Sequence, residues 1–158
     1  MSQRINFREV SPEALKALHG VESYAHKSGL ERSLLLLVKL RASYINGCAY
    51  CIDMHTKDAR AEGETEQRIY AVPVWRETPF FTPRERAALA WTEAVTEISR
   101  QGVPEALFRE TREYFSEREL VDLNMAVVAI NAWNRMAISF AAPPGSYQRP
   151  SAAQPQKA

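Results

Sequence analysis

The sequence predicts an all-α protein, and three observations carry that prediction. Apolar residues recur at helical spacing through most of the 158-residue chain, whereas the alternation typical of strands is hard to find. Helix-start signals stand at Ser11, Thr82 and Ser116, where a capping side chain is followed by proline, by a glutamate three residues on, or by both. Glycines such as Gly47 and Gly63 close the periodic segments, and each is predicted to end a helix.

Four helices are predicted in the first half of the chain, over residues 11–27, 31–45, 48–62 and 65–72. The second is apolar on most sides from Leu34 to Val38, a pattern that predicts a buried helix. The sequence therefore places Cys48 and Cys51 at the start of a helix that directly follows a buried one.

The second half begins with an irregular link marked by Pro73, Pro79 and Pro83. Three further helices are predicted, over residues 82–99, 104–115 and 116–140, and the last is long and apolar. We expect one helical domain over residues 1–140. A tail over residues 141–158 follows, whose Pro-, Ala- and Gln-rich composition predicts flexibility.

Composition argues against several classes of protein. The formal net charge is +1 and basic residues are dispersed among acidic ones, so nothing favours binding to nucleic acid or to an anionic membrane. The N-terminal residues lack the apolar core of a signal peptide, and the longest apolar run, LLLLVKL, is too short to span a bilayer. A cytoplasmic protein is predicted, in which a purely structural disulfide is not expected.

Both cysteines of the chain lie in one short stretch, NGCAYCIDMH, with a histidine one helical turn further on. On a helix that begins at Cys48, the side chains of Cys48, Cys51 and His55 share one face. Cys51 and His55 are close enough to touch, so the imidazole can take or hold the thiol proton. The pattern indicates thiol redox chemistry, in which a thiolate attacks an oxidant and the second thiol captures the resulting sulfenic acid.

The residues alone leave open which sulfur attacks first. Backbone N–H groups and the helix dipole stabilise a thiolate at a helix start, which favours Cys48, whereas the pairing with His55 favours Cys51. Two other interpretations remain. The cysteines can be small buried apolar residues, or they can bind zinc with His55, which requires a fourth ligand and an awkward geometry on one helix. Neither a metal nor an organic cofactor is expected.

Three segments carry a resemblance to a known family: LVKLRASYINGCAYCIDMHTKDARAEGE, RAALAWTEAVTEIS and ELVDLNMAVVAINAWNR. They resemble the core of the alkylhydroperoxidase D-like (AhpD-like) proteins of the carboxymuconolactone decarboxylase superfamily, over roughly residues 12–140. The resemblance implies an all-helical fold, antioxidant peroxidase or disulfide-reductase activity on hydroperoxides, and a homotrimer or homohexamer. It also implies a protein or small-thiol reductant, such as a lipoylated protein, and a peroxiredoxin as the oxidised partner.

The resemblance further implies roles for the residues of the motif. Cys51 would be the peroxidatic cysteine and Cys48 the resolving one. His55 would be the relay that deprotonates Cys51 together with a water and a distant glutamate. Tyr50 matches a position where the family has a polar relay residue, and an aromatic that merely packs on the helix surface is an equal hypothesis.

Position 36 departs from the family. Relatives carry the relay glutamate twelve residues before the first cysteine, where this chain has Leu36, which cannot accept a proton. Relatives often carry Gln where this chain has Tyr44. Three explanations are open. First, another group can substitute for the glutamate; Tyr44 is the nearest candidate in sequence, although a phenol is a poor base. Second, the helix dipole and His55 can activate the thiol without a distant base, which gives a slower enzyme. Third, the site can be degraded or engineered.

Two classes of function therefore compete. The first is a peroxidase or disulfide reductase, and the second is a non-catalytic or redox-sensing oligomer whose relay is lost at Leu36. Lactone decarboxylation fits poorly, because that branch of the superfamily does not work through a C-x-x-C pair. Among the other polar residues, His19 and His26 are expected to be surface or cap residues, and Asn131 and Asn134 need partners if they are buried.

Overall fold

The computed structural model describes residues 2–149, which form helices and no strand, so the all-α prediction is confirmed. The helices in chain order are α1 (Phe7–Val10), α2 (Pro12–Lys27), α3 (Arg32–Asn46), α4 (Ala49–Ala61), α5 (Glu66–Ala71), a 3-10 helix (Val72–Glu77), α6 (Pro83–Thr96), α7 (Ile98–Gln101), α8 (Glu105–Arg112) and α9 (Glu117–Ser139).

The structure differs from the predicted helices in two respects. The sequence pattern misses α1 and the 3-10 helix, because elements of four and six residues are too short to show a helical period. The pattern also joins α6 and α7 into one helix, whereas the backbone at Glu97 leaves the helical region and separates them.

α3 lies at the centre of the molecule and packs against α4, α6 and α9. All residues from Leu34 to Leu40 are buried, which confirms the predicted burial of this helix. Leu35 and Val38 belong to an apolar cluster shared with α2, α6 and α9, and Leu37 belongs to a second cluster shared with α4, α5 and α6. Each such buried side chain stabilises the fold by about 1.5–3 kcal/mol.

Both predicted capping boxes are present. The Thr82 side chain accepts a hydrogen bond from the Glu85 N–H, and the Glu85 carboxylate accepts one from the Thr82 N–H. Ser116 and Glu119 form the same arrangement at the start of α9, and each cap contributes about 1 kcal/mol. Although α9 has 23 residues, neither it nor any other helix within residues 2–149 is long and apolar enough to cross a bilayer.

A tight turn at Gly47 sets the direction of α4. Gly47 has φ 68° and ψ 32°, in the left-handed region where a residue with a Cβ atom is strained. Cys48 follows in an extended conformation as the N-cap of α4, and its N–H donates to the Ser43 carbonyl at 3.0 Å. The last turn of the buried helix thereby holds the first residue of the C-x-x-C motif.

The residues after α9 return to α4. The Tyr147 hydroxyl donates to Asp58 at 2.8 Å, and the Lys57 ammonium donates to the Tyr147 carbonyl at 3.1 Å. The first part of the predicted tail is thus bonded to the helical body. Residues 150–158, the rest of that tail, lie outside the described part of the chain, and both the flexibility and the domain boundary stay predictions.

Candidate functional site

The two cysteines lie at the start of α4 and are joined by a disulfide, so the structure holds the oxidised form of the pair. Cys48 is the N-cap, and its sulfur accepts a hydrogen bond from the Cys51 N–H at 3.3 Å. The two Cα atoms are 5.3 Å apart, and each residue is 1% exposed. The predicted position of the pair is confirmed. Within residues 2–149, no group of three or more His, Cys, Asp or Glu side chains is placed to hold a metal ion.

His55 lies one turn beyond Cys51 on α4 and is 5% exposed. Neither of its ring nitrogens has a hydrogen-bond partner among the described residues. Burial disfavours the imidazolium ion and lowers the pKa of His55 to about 3, and the positive charge of Lys39 acts in the same direction. In the oxidised protein the imidazole is therefore neutral near neutral pH, and it gains a proton readily only when a negative charge, such as the Cys51 thiolate of the reduced protein, forms beside it.

A cavity of about 760 Å³ opens beside this pair. Its walls come from α1 to α4, from α9 and from the segment after α9. Cys51 and His55 both line it, whereas Cys48 does not and packs with Cys51 and Ala137 in a small apolar cluster. Of the two buried cysteines, Cys51 is therefore the one that lies at the cavity wall.

The structure brings Leu36 to the site but not Tyr44. Leu36 lines the cavity, so a carboxylate at this position would share the cavity with His55. Tyr44 lies outside the lining and packs against the apolar cluster around Leu37. Burial raises the pKa of the Tyr44 hydroxyl and keeps it protonated, so this residue does not provide the missing base.

Tyr50 is half-buried between the two cysteines and lines the cavity. Its ring packs against the disulfide cluster, and its hydroxyl accepts a hydrogen bond from the Arg8 guanidinium at 3.3 Å. The packing of the ring favours the hypothesis of an aromatic that merely packs, and the position of Tyr50 at the cavity favours the hypothesis of a polar relay residue.

The sequence did not predict a cluster of three polar side chains in the cavity, formed by Glu22 and His26 on α2 and by Lys39 on α3. The Lys39 ammonium donates to Oε1 of Glu22, and Nε2 of His26 lies 2.9 Å from the same oxygen and 3.1 Å from the lysine nitrogen. His26 is partly exposed, as expected, but its ring also completes this cluster. A lysine inside a buried run was the available signal, because a buried ammonium requires a carboxylate.

Glu22 is ionised in this cluster. Burial raises the pKa of its carboxyl group, but the hydrogen bond with His26 and the charge and hydrogen bond of Lys39 outweigh burial and lower the pKa to about 2. Only Oε1 takes part in these contacts, and Oε2 is buried without a partner among the described residues. The cavity therefore contains a carboxylate, although position 36 is leucine.

Two asparagines of α9 connect this helix to the end of α3. The Asn46 amide donates to the side-chain oxygens of Asn131, at 3.0 Å, and of Asn134, at 2.9 Å. The fully buried Asn134 in turn donates to the Ser43 hydroxyl at 3.1 Å. The expectation that these residues need partners is confirmed, and the network anchors the turn that leads into the C-x-x-C motif.

Asn134→Ala is expected to lower the free energy of unfolding by about 2–3 kcal/mol, because it removes the hydrogen bond from Asn46 to Asn134 and leaves the buried Ser43 hydroxyl without a partner. Urea denaturation of the oxidised protein measures this loss. Ser139→Ala, at an exposed position of the same helix, is the control and is expected to change stability by less than about 0.5 kcal/mol. Equal effects of the two substitutions would contradict the role of the network.

Solved structures share this fold and carry AhpD-like names. ATU0492 of Agrobacterium tumefaciens, a protein of unknown function with a suggested role in antioxidant defence as an AhpD, aligns with a TM-score of 0.89 and 46% identity, covering 92% of this chain and 100% of that one. An AhpD-core, peroxidase-related protein of Ralstonia eutropha JMP134 aligns with a TM-score of 0.77 and 24% identity, covering 88% of this chain and 74% of that one, a likeness of fold alone. The fold and the C-x-x-C pair are those of an AhpD-like protein, and they are consistent with a peroxidase-type role.

The model of the carboxymuconolactone decarboxylase family matches residues 12–94, and the chain belongs to this family. The chain is also 45% identical over 140 residues to YdfG of Bacillus subtilis strain 168, an uncharacterised protein. That alignment covers 89% of this chain and 95% of YdfG, so the likeness extends over nearly the whole length of both.

Proposed function

We propose that this protein is a thiol-dependent peroxidase that reduces organic hydroperoxides and cycles through the Cys48–Cys51 disulfide. The observation that carries the proposal is that Cys51 and His55 line one cavity while Cys48 lies outside it. Cys51 is thereby the thiol that a substrate in the cavity would meet, and His55 lies one turn away to take its proton. The likeness to a protein with a suggested antioxidant role supports the same function.

The first step is the oxidation of Cys51. His55 accepts the thiol proton, and the thiolate attacks one oxygen of the hydroperoxide, so that an S–O bond forms as the O–O bond breaks. The alkoxide takes the proton from His55 and leaves as an alcohol. The hydroperoxide is thereby reduced by two electrons, and Cys51 becomes a sulfenic acid.

The second step is resolution by Cys48. Its sulfur attacks that of Cys51, an S–S bond forms as the S–O bond breaks, and hydroxide leaves as water with the proton from Cys48. The N-cap position suits this role, because a backbone N–H contacts the Cys48 sulfur and favours its thiolate. The disulfide in the structure corresponds to the product of this step.

The cycle is completed by a reductant. A dithiol returns two electrons and two protons to the pair by thiol–disulfide exchange and becomes a disulfide itself. We infer a protein or small-thiol donor, such as a lipoylated protein, with a peroxiredoxin as the alternative partner. A reducing cytoplasmic compartment suits this cycle, and a homotrimer or homohexamer is the assembly that the resemblance implies.

The cavity favours an organic hydroperoxide over hydrogen peroxide. Its volume of about 760 Å³ lies within the range of small-molecule sites. Leu35, Leu36, Met54 and Trp133 give it apolar walls against which an alkyl or aryl group can pack. Hydrogen peroxide would leave most of this surface without a contact.

A stoichiometric pulse of cumene hydroperoxide is expected to remove both thiols of each reduced chain rapidly and to consume one peroxide per chain. The reason is that Cys51 faces the cavity and Cys48 lies within reach to close the disulfide. Thiol titration and residual peroxide, both followed in time, measure the two quantities. Protein alkylated at both cysteines before the pulse is the control.

The competing function is a non-catalytic or redox-sensing oligomeric binding protein, which Leu36 favours because the carboxylate of the family is missing there. Thiols that survive the pulse would contradict the peroxidase and favour the non-catalytic binding protein. Thiols that oxidise once, without further consumption of peroxide when dithiothreitol is added, would favour the redox sensor.

A further inference from the structure

The cavity beside Cys51 contains three buried polar atoms that make no hydrogen bond to the described residues. They are Oε2 of Glu22 and both ring nitrogens of His55. Within residues 2–149, every other buried side-chain nitrogen or oxygen has a partner. Because buried polar atoms are normally hydrogen-bonded, their gathering in one cavity indicates a shared contact with solvent or substrate there.

The position of Glu22 is set by its contacts. Lys39, which is 3% exposed, and His26 both contact Oε1, so the carboxylate is held on the cavity side of α2. Oε2 stays available for another donor. The negative charge of Glu22 raises the pKa of His55, against the larger lowering by burial and by Lys39.

The remaining charged and titratable side chains of the cavity are Arg8, His19, Arg32, Tyr50, Asp58, Tyr147 and Arg149. Most contact partners other than His55. Arg32 and Arg149 contact Glu62, Asp58 accepts from Tyr147, and His19 packs against Trp133 with ring centroids 5.1 Å apart. Of the two carboxylates of this cavity, Glu22 is the one whose charge acts on the pKa of His55 and whose buried oxygen has no partner among the described residues.

We infer that Glu22 is the positioning residue that supports His55 during proton transfer, and that α2 supplies the carboxylate that Leu36 lacks. The inference rests on the proposed function. When His55 takes the Cys51 proton, Oε2 accepts a hydrogen bond from the imidazolium, directly or through one water, and stabilises its charge. The thiolate–imidazolium pair then forms at lower pH.

A purely structural role for Glu22 predicts the opposite effect. If the carboxylate only neutralises the buried Lys39, its removal leaves a bare ammonium in the cavity. That positive charge would favour the Cys51 thiolate. The two roles therefore predict opposite shifts in the pH at which the Cys51 thiolate forms when Glu22 loses its charge.

The test is the rate at which iodoacetamide alkylates Cys51 as a function of pH, in reduced protein that carries Cys48→Ser so that one thiol remains. Glu22→Gln is expected to raise the pH of half-maximal rate by about one unit. A fall, or no change, would overturn the inference. Glu93→Gln is the matched control, because Glu93 is as buried as Glu22 and pairs with Arg41 but lies outside the cavity.

If Glu22→Gln does not fold, Glu22→Asp is the variant that tests the inference in the same alkylation assay. This variant keeps a charge beside Lys39 but withdraws the carboxylate by one methylene group. If Glu22 positions His55, the pH of half-maximal alkylation should rise in Glu22→Asp, by less than in Glu22→Gln. If Glu22 only neutralises the charge of Lys39, no rise is expected.

A second carboxylate in the same cavity provides a rescue. Leu36→Glu, added to Glu22→Gln, is expected to return the alkylation midpoint to that of the parent, because position 36 lines the cavity with His55. A midpoint that stays high in the double variant would count against the inference.

Alkylation requires no peroxide, so this test is independent of the proposed function. If the protein consumes no hydroperoxide but Glu22→Gln still raises the pH of half-maximal alkylation, the peroxidase proposal is contradicted and the coupling of Glu22 to His55 is supported. If the protein turns over hydroperoxide but Glu22→Gln leaves the pH of half-maximal alkylation unchanged, the peroxidase proposal is supported and the coupling is contradicted.

Discussion

Cys51→Ser is expected to lower peroxide turnover by at least about a thousandfold, because it removes the thiol of the cysteine that lines the cavity. Cys48→Ser is expected to behave differently. It should consume one hydroperoxide per chain and then stop, because Cys51 is oxidised but no second thiol resolves it. Peroxide loss in a steady-state assay, together with mass spectrometry of a dimedone adduct, measures both outcomes.

The single-cysteine variants control for each other, since each keeps one thiol at the start of α4. A dimedone adduct on Cys51 in the Cys48→Ser variant is the expected product. An adduct on Cys48 in the Cys51→Ser variant, with rapid loss of peroxide, would contradict the assignment. Such a result would mean that the stabilisation of a thiolate at the helix start, and not access to the cavity, determines which cysteine attacks the peroxide.

Acid is expected to destabilise the oxidised protein through His55 by about 2–3 kcal/mol between pH 6.5 and 4.5. The pKa of His55 falls from its ordinary 6.5 to about 3 on folding. Below pH 6.5 the unfolded chain binds a proton that the folded chain excludes, so stability falls as the pH falls. Below pH 4.5 Glu22 adds to the loss, because its folded pKa is about 2. Urea denaturation at several pH values measures the slope.

His55→Leu is expected to flatten this slope, because it removes the group that charges only on unfolding. His19→Gln is the control, since His19 is exposed and its substitution should leave the slope in place. An unchanged slope in His55→Leu would show that other groups govern the response to acid. Both variants are compared as oxidised proteins, so that no free thiol titrates.

Local patterns in the sequence predicted much of the fold. The capping boxes at Thr82 and Ser116 and the burial of α3 agree with the structure, because a cap and an apolar surface depend on neighbouring residues. The position of the C-x-x-C pair was predicted for the same reason, since Gly47 and the helix start lie beside it. Short elements such as α1 were missed, because they lack a measurable period.

The candidate site was predicted only where its parts lie on one helix. Cys51 and His55 share a face of α4, and that follows from their spacing. The presence of Glu22 in the cavity did not follow from any spacing, because its partner Lys39 lies on another helix. A lysine within the buried run of α3 indicated that some carboxylate was needed but not which one.

The sequence by itself determined the helical class, the redox-capable cysteine pair and the absence of a carboxylate at position 36. Only the tertiary structure showed that Cys51 and not Cys48 lines the cavity, and that Glu22 lines it together with His55. The physical reason is that helical spacing relates side chains a few residues apart, whereas a cavity is formed by helices whose residues are far apart in sequence and meet only through packing.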